Sequence, residues 1–105
     1  MQYHRVATDP SKSNETQLQN KILKLARMTG WLSYHTWDSR KSQPGFPDLV
    51  LVRRERLVFA ELKSEKGKLT PAQVEWNEAL KATAAEVYVW RPADWVDSTI
   101  ERCLL

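Results

Sequence analysis

The chain has 105 residues, 42% of them hydrophobic, which is enough for one packed domain and too few for two. Its net charge of +3 suits a polyanionic partner, and its single cysteine, Cys103, excludes an intrachain disulfide and favours a reducing, intracellular setting. No apolar run has the length of a signal-peptide core or a membrane span, so we expect neither export nor membrane insertion.

The first part of the chain predicts an arm followed by a helix. Residues 1–14 are polar, and we expect them to form a loosely attached N-terminal arm. Apolar side chains then recur at helical spacing, which predicts a helix over residues 15–28 with Ser13 or Asn14 as its N-cap. Glu15 would lie in the first turn, where the helix dipole favours an acidic side chain.

A strand and a polar loop come next. Residues 31–37 are rich in aromatic and β-branched side chains, which predicts a strand that packs against the edge of the following hairpin. Residues 38–46 are polar and contain Pro44 and Gly45, so they predict a loop that leads the chain to Asp48.

A β-hairpin forms the predicted centre of the fold. Two apolar runs flank the charged cluster of residues 53–56, which is short enough to be a turn. A turn centred between Arg54 and Glu55 would place Asp48 directly opposite Glu61, with the Cβ atoms of opposed residues about 4.5–5.5 Å apart on one face. A slip of one residue would send the two carboxylates to opposite faces.

The opposed carboxylates carry the functional hypothesis. Two carboxylates at that distance repel each other, and a hard divalent cation between them removes the conflict. Lys63 would face the same way as Glu61 because a strand has a period of two. Each motif taken singly also has an ordinary explanation, since Pro47-Asp48 can simply start a strand and Glu61-x-Lys63 can be a solvated strand edge.

The remaining sequence predicts a helix, a strand and a closing helix. Thr70 and Gln73 have the pattern of a capping box and begin a helix over residues 70–84. A fourth strand is predicted over residues 86–91, and Asp94 would cap the last helix. The stripe of the second helix that is expected to face the sheet contains Trp76, Leu80 and Thr83.

These elements follow the order α-β-β-β-α-β-α. The strand over residues 57–62 is apolar on both faces, which predicts a central strand that is covered on both sides. We therefore predict one α/β domain over residues 15–105, in which helices flank a mixed central sheet.

The chain resembles the PD-(D/E)xK nuclease superfamily and, within it, the virus-type replication-repair (VRR-Nuc) nucleases. The resemblance covers nearly the whole domain, from Glu15 to Trp90, and it implies a restriction-endonuclease-like fold. The residues that carry it are Glu15, Gly45-Phe46-Pro47-Asp48-Leu49, Glu61-Leu62-Lys63 and Leu69-Thr70-Pro71-Ala72-Gln73 with Trp76 behind them.

The resemblance implies a site for Mg²⁺ or Mn²⁺. By resemblance, Asp48 and Glu61 hold the ion, the carbonyl of Leu62 contributes, and Glu15 approaches directly or through water. Lys63 and Gln73 would complete the site. Lys63 is expected to orient the attacking water as a cation, and it could act as a base only if its pKa were strongly depressed. Gln73 could cap its helix or present an amide to the site, and both interpretations remain open.

The resemblance also implies the activity and its substrate. We expect a metal-dependent, structure-selective DNA endonuclease of DNA repair that cuts branched or four-way (Holliday) junction DNA as a homodimer, in the cytoplasm of a bacterium or a phage-infected host. Two alternatives stay open: a monomeric flap or nicking nuclease, and a non-catalytic DNA-binding module whose acidic cluster is only structural. The basic loop residues expected to contact the DNA backbone are Arg40, Lys41, Lys66 and Lys68.

Overall fold

The first helix begins earlier than the sequence predicted. The structure is a computed structural model that describes residues 10–37, 41 and 43–105, so most of the predicted arm over residues 1–14 lies outside the described residues. Helix α1 (Pro10–Met28) starts with a proline, which fits the first turn because its missing N–H has no helical partner there. Glu15 therefore lies beyond the first turn, and the helix-dipole explanation of this residue is wrong.

Four strands form one mixed sheet, in which they lie side by side in chain order. The first and second strands pair antiparallel, as do the second and third, and the fourth strand runs parallel to the third. This arrangement, with helices on both sides, confirms the predicted α/β class and the central position of the third strand. The strands are β1 (Leu32–His35), β2 (Leu49–Arg53), β3 (Arg56–Leu62) and β4 (Glu86–Trp90).

The β2–β3 hairpin has the predicted register. Leu49 pairs with Ala60 and Arg53 pairs with Arg56, so the turn is centred between Arg54 and Glu55. Arg54 adopts a left-handed backbone conformation with a φ of 58°, as tight hairpin turns require. The apolar runs therefore determined the pairing correctly, and Asp48 and Glu61 come next to each other at the open end of the hairpin.

One face of the sheet forms the hydrophobic core. It packs against α1 and the C-terminal helices, α3 (Pro92–Val96) and α4 (Thr99–Leu104). The predicted single closing helix is in fact these two short ones, because Ser98 between them has a φ of 69° and breaks the helical path. Core residues with no exposed surface include Ile22, Leu49, Leu51, Val58, Ala60, Ile100 and Leu104.

The other face of the sheet is only partly covered. Helix α2 (Pro71–Lys81) lies on this side, but Val52 and Leu57 remain 38% and 39% exposed. The predicted cover on both sides of β3 is therefore incomplete. The predicted inner stripe of α2 is correct in part: Trp76 and Leu80 are half-buried, and the ring of Trp76 packs edge-on against Phe46 in the preceding loop. Thr83 is exposed and lies beyond the end of the helix, and the buried residue of α2 is Asn77, which was not predicted.

No helix in the described part of the chain is both long and apolar enough to cross a lipid bilayer.

Gly45 lets the loop before β2 approach the start of α2. Its φ is +94°, and a Cβ atom there would overlap the main-chain carbonyl of Ala72. We expect Gly45→Ala to lower the free energy of unfolding by about 1–3 kcal/mol, because the variant combines backbone strain with this overlap. Urea unfolding followed by circular dichroism measures the loss.

Gly30→Ala is the matched control for this variant. Gly30 has a φ of +88°, yet the nearest atom to an added Cβ would be Cδ of Arg53 at 3.9 Å. The control therefore carries the strain of the left-handed conformation without the steric overlap. Equal losses in the two variants would show that the close approach at Gly45 is unimportant.

Candidate active site

Asp48 and Glu61 lie together at the open end of the hairpin. The antiparallel ladder continues past β1 and β2, because the N–H of Thr36 donates to the carbonyl of Asp48 at 2.9 Å. The side chain of Asp48 reaches across the hairpin, where its Oδ2 accepts a hydrogen bond from the backbone N–H of Leu62 at 2.8 Å. This bond holds the Asp48 carboxylate beside the carboxylate of Glu61.

Glu61 is a buried acid with one free oxygen. It is only 3% exposed, and its Oε2 accepts a hydrogen bond from Nε2 of Gln73 at 2.9 Å. Its Oε1 is buried and receives no hydrogen bond from a donor group among the described residues, and a hydrogen bond between the carboxyl groups of Glu61 and Asp48 requires a proton on one of them. Burial and, after it, the charge of Asp48 raise the pKa of Glu61 well above its usual range, while Lys63 acts in the opposite direction. The site is therefore arranged to hold a proton or a cation.

Helix α1 brings Glu15 to the same end of the sheet. A cavity of about 120 Å³ lies between the helix and the hairpin, and its lining includes Glu15, Asp48 and Leu62. The negative charge of Glu15 also contributes to the raised pKa of Glu61. Three of the predicted metal ligands thus meet around one cavity, and their role as ligands stays a prediction.

The sequence interpretation missed Gln19, which lines this cavity together with Glu15 and Thr16. Gln19 follows Glu15 by four residues and therefore lies on the same face of α1, one turn further along. This spacing was the signal that could have identified it.

Gln73 meets both of the roles proposed for it. Its Oε1 accepts from the N–H of Thr70 at 2.9 Å, and the hydroxyl of Thr70 accepts from the N–H of Gln73 at 3.2 Å, which completes the predicted capping box. Its Nε2 donates to Glu61 at the same time. One side chain therefore both begins helix α2 and fixes the orientation of the buried carboxylate.

The oxygen-rich set at this site suits a hard cation. Within residues 10–37, 41 and 43–105, no three His, Cys, Asp or Glu side chains are grouped closely enough to bind a metal ion by themselves. Asp48 and Glu61 nevertheless supply two carboxylates, and the free, buried Oε1 of Glu61 is an acceptor without a donor. Mg²⁺ and Mn²⁺ prefer oxygen ligands and Mg²⁺ retains several waters, so two carboxylates with a carbonyl fit such an ion.

Comparison with known proteins identifies the family. The sequence model of the VRR-NUC domain matches residues 2–94. The chain belongs to the VRR-NUC family. This is a nuclease family, so the protein is a nuclease domain, and the fold and family implied by the sequence motifs are confirmed.

Solved structures agree with this assignment. A structure described as a VRR_NUC domain superposes with a TM-score of 0.68 at 28% identity and covers 84% of this chain and 95% of its own. A second, described as a VRR_NUC domain protein, has a TM-score of 0.65 at 21% identity, covers 84% of this chain and 85% of its own, and supports the fold alone. A search of curated proteins gave no significant match.

The basic side chains of the VRR-NUC domain fall into two groups. Lys41, Lys66 and Lys68 are exposed on the loops at the acidic end of the sheet, whereas Arg40 lies outside the described residues. The loop that carries Lys66 and Lys68 is held in place by Arg91, whose Nη1 donates to the carbonyls at positions 64 and 67 at 2.6 and 2.7 Å.

Two arginines of the hairpin turn, Arg53 and Arg56, have structural partners instead. Arg53 donates to the carbonyl of Leu104 at 3.1 Å, and Arg56 forms a salt bridge with Glu86 at 2.7 Å. Both guanidinium groups lie over the ring of Trp31, at 4.6 and 5.0 Å from its centre. The side chains of the turn therefore connect the sheet to the C-terminal helix.

Proposed function

We propose that this VRR-NUC domain is a metal-dependent, structure-selective DNA endonuclease that hydrolyses phosphodiester bonds in branched DNA, including four-way junctions. The observation that carries the proposal is the buried Glu61 carboxylate beside Asp48, with one oxygen left without a donor. Two carboxyl groups this close together, one of them buried, need either a shared proton or a cation between them, and a bound cation accounts for the pair when both are ionised.

Asp48 and Glu61 would hold Mg²⁺ or Mn²⁺, with Glu15 and the carbonyl of Leu62 completing the protein ligands. When bound, such an ion stabilises negative charge on the phosphate and makes water more acidic. The hydrogen bond from the N–H of Leu62 keeps the Asp48 carboxylate turned toward the site. Gln73 does the same for Glu61 from the opposite side.

Lys63 would supply the fixed positive charge of the site. It follows Glu61 by two residues and its charge is felt by that carboxylate. An ammonium group in this position can orient the attacking water and stabilise the additional negative charge that forms on the phosphate. The exposed lysines Lys41, Lys66 and Lys68, together with Arg40, would contact the DNA backbone, which gives affinity without sequence preference.

A homodimer would present two such sites to a junction. Resolution of a four-way junction needs two cuts, and a two-fold dimer places a pair of sites in a fixed relation. The incompletely covered sheet face offers apolar surface for self-association, with Leu32, Tyr34, Val52 and Leu57 exposed. Sedimentation of the free protein tests this part, and a monomer at high concentration would favour the flap or nicking alternative.

A panel of DNA substrates tests the proposed activity. Flap, fork, nicked, four-way and linear duplex DNA are incubated with the protein in Mg²⁺, in Mn²⁺ and in EDTA. We expect cleavage of the branched substrates in either metal and none in EDTA. Absence of cleavage in both metals would overturn the proposed enzyme and favour a DNA-binding module, and equal cleavage of linear duplex would overturn the proposed selectivity.

The two roles of Gln73 can be separated by substitution. Thr70→Ala removes the helix cap and should lower the free energy of unfolding by about 1 kcal/mol, with little effect on cleavage. Gln73→Glu keeps an acceptor for the N–H of Thr70 but replaces the donor to Glu61 by a second carboxylate, so cleavage should fall while the cap persists. Urea unfolding and single-turnover cleavage measure the two effects. Identical profiles for the two variants would contradict the double role.

A further inference from the structure

Trp37 is an exposed aromatic residue without a packing role in the core. Its side chain is 85% exposed, and the ring contact that it makes within the described structure is an edge contact with His35, at 5.2 Å between ring centres. Two other tryptophans, Trp31 and Trp90, are only 5% and 2% exposed, and Trp76 packs against Phe46. The stability of the fold therefore does not explain the placement of Trp37.

The position of Trp37 relative to the acid pair is well defined. Its neighbour Thr36 is bonded twice to the strand segment that carries Asp48: its N–H donates to the carbonyl of Asp48 at 2.9 Å, and its hydroxyl donates to the carbonyl of Pro47 at 3.1 Å. Opposed Cα atoms in an antiparallel ladder are about 4.5–5.5 Å apart and consecutive ones 3.8 Å, so the Cα atom of Trp37 lies within about 10 Å of that of Asp48.

The surroundings of Trp37 suit nucleic acid. Lys41 follows Trp37 by four residues and is also exposed, so an exposed aromatic side chain and a cation lie close together in the sequence next to the acidic end of the sheet. Aromatic side chains next to a basic groove are the usual platform for bases of single strands, because every base has a π-face. Bases inside a duplex are already stacked on their neighbours and are not available to such a platform.

We propose that Trp37 stacks on an unpaired base next to the branch point of fork or flap DNA, and so helps this nuclease to prefer DNA with unpaired arms over linear duplex. The inference rests on the proposed function for its choice of substrate. It adds a subsite that binds an unpaired base, whereas the lysines contact only the DNA backbone.

Equilibrium binding in EDTA tests this subsite without requiring cleavage. Fluorescence anisotropy measures the affinity of the whole chain for a fork with unpaired arms and for a linear duplex of the same length. We expect Trp37→Ala to weaken fork binding about tenfold, as loss of one stacked base predicts, and to change duplex binding less than twofold. Trp37→Phe should recover most of the fork affinity because it restores a ring.

Val96→Ala is the matched control, since Val96 is an apolar residue that is 81% exposed in helix α3, away from the acid pair and from the sheet face proposed for self-association. This variant should bind both DNAs as the unmodified protein does. A fork carrying 2-aminopurine at the unpaired position gives a direct signal, because stacking on Trp37 should quench its fluorescence and Trp37→Ala should restore it.

Two results would overturn the proposal: unchanged fork binding in Trp37→Ala, or an equal loss of affinity for fork and duplex. These results are independent of the proposed nuclease activity, which fails only if the unmodified protein does not cut in Mg²⁺ or Mn²⁺. Circular dichroism confirms that the exposed substitution leaves the fold intact.

Discussion

Asp48→Asn should lower the rate of DNA cleavage by about 10³-fold or more, a loss that corresponds to roughly 4 kcal/mol of transition-state stabilisation. The amide can still accept the hydrogen bond from the N–H of Leu62, so the hairpin keeps its geometry. What is lost is one of the two negative charges that would hold the cation. Single-turnover cleavage of a four-way junction measures the effect, and DNA binding should be retained because the charge removed is negative.

Glu55→Gln provides the matched control. Glu55 is an exposed acid in the turn at the other end of the same hairpin, so this variant changes the net charge by the same amount. Its cleavage rate should equal that of the unmodified protein. If Asp48→Asn cut within tenfold of the unmodified rate, Asp48 would not be part of the catalytic site.

Glu61→Gln should abolish cleavage and at the same time stabilise the metal-free protein at alkaline pH. Burial and the neighbouring Asp48 raise the pKa of Glu61 in the folded state above its value of 4.5 in the unfolded chain. The folded state therefore binds more protons than the unfolded state, and stability is lost as the pH rises above 4.5 toward the folded-state pKa. Glutamine is neutral at every pH, so the variant should lose this pH dependence.

Urea unfolding in EDTA between pH 5 and pH 9 measures this effect. At pH 8 the free energy of unfolding of the variant should exceed that of the unmodified protein by at least about 1.4 kcal/mol, which is the equivalent of one pKa unit. Addition of Mn²⁺ should stabilise the unmodified protein and not the variant, since a ligand that binds only the folded state raises its stability. If the free energy of unfolding of the unmodified protein did not change between pH 5 and pH 9, the pKa of Glu61 would not be raised in the folded state.

The centre of the fold could be predicted from the sequence because several local signals agreed there. The apolar runs on either side of residues 53–56 favoured a turn centred between Arg54 and Glu55, and that centre determines which residues oppose each other at the open end of the hairpin. The capping box at Thr70 and Gln73 could also be predicted from the sequence, since both of its hydrogen bonds join residues only three positions apart. Short-range rules therefore brought Asp48 and Glu61 together, whereas the place of Gln73 beside Glu61 was implied by the family resemblance.

Other features depend on tertiary packing and carry no such signal. Pro10 marks both a loop and the first turn of a helix, so the start of α1 could not be determined from composition. Ser98 adopts a left-handed conformation without being a glycine, and the break between α3 and α4 was missed. Asn77 is buried although it is polar, and the ring of Trp76 packs against Phe46 in the preceding loop.

Diffraction from a crystal soaked in Mn²⁺ tests the central claim most directly. The anomalous signal of manganese identifies the ion without relying on activity, and Asp48→Asn crystals provide the comparison. We predict a peak between the carboxylates of Asp48 and Glu61, within bonding distance of the free Oε1 of Glu61, and a weakened or absent peak in the variant. The account would be contradicted if crystals of the unmodified protein soaked in Mn²⁺ showed no anomalous density at this position and the Glu61 carboxylate had not moved.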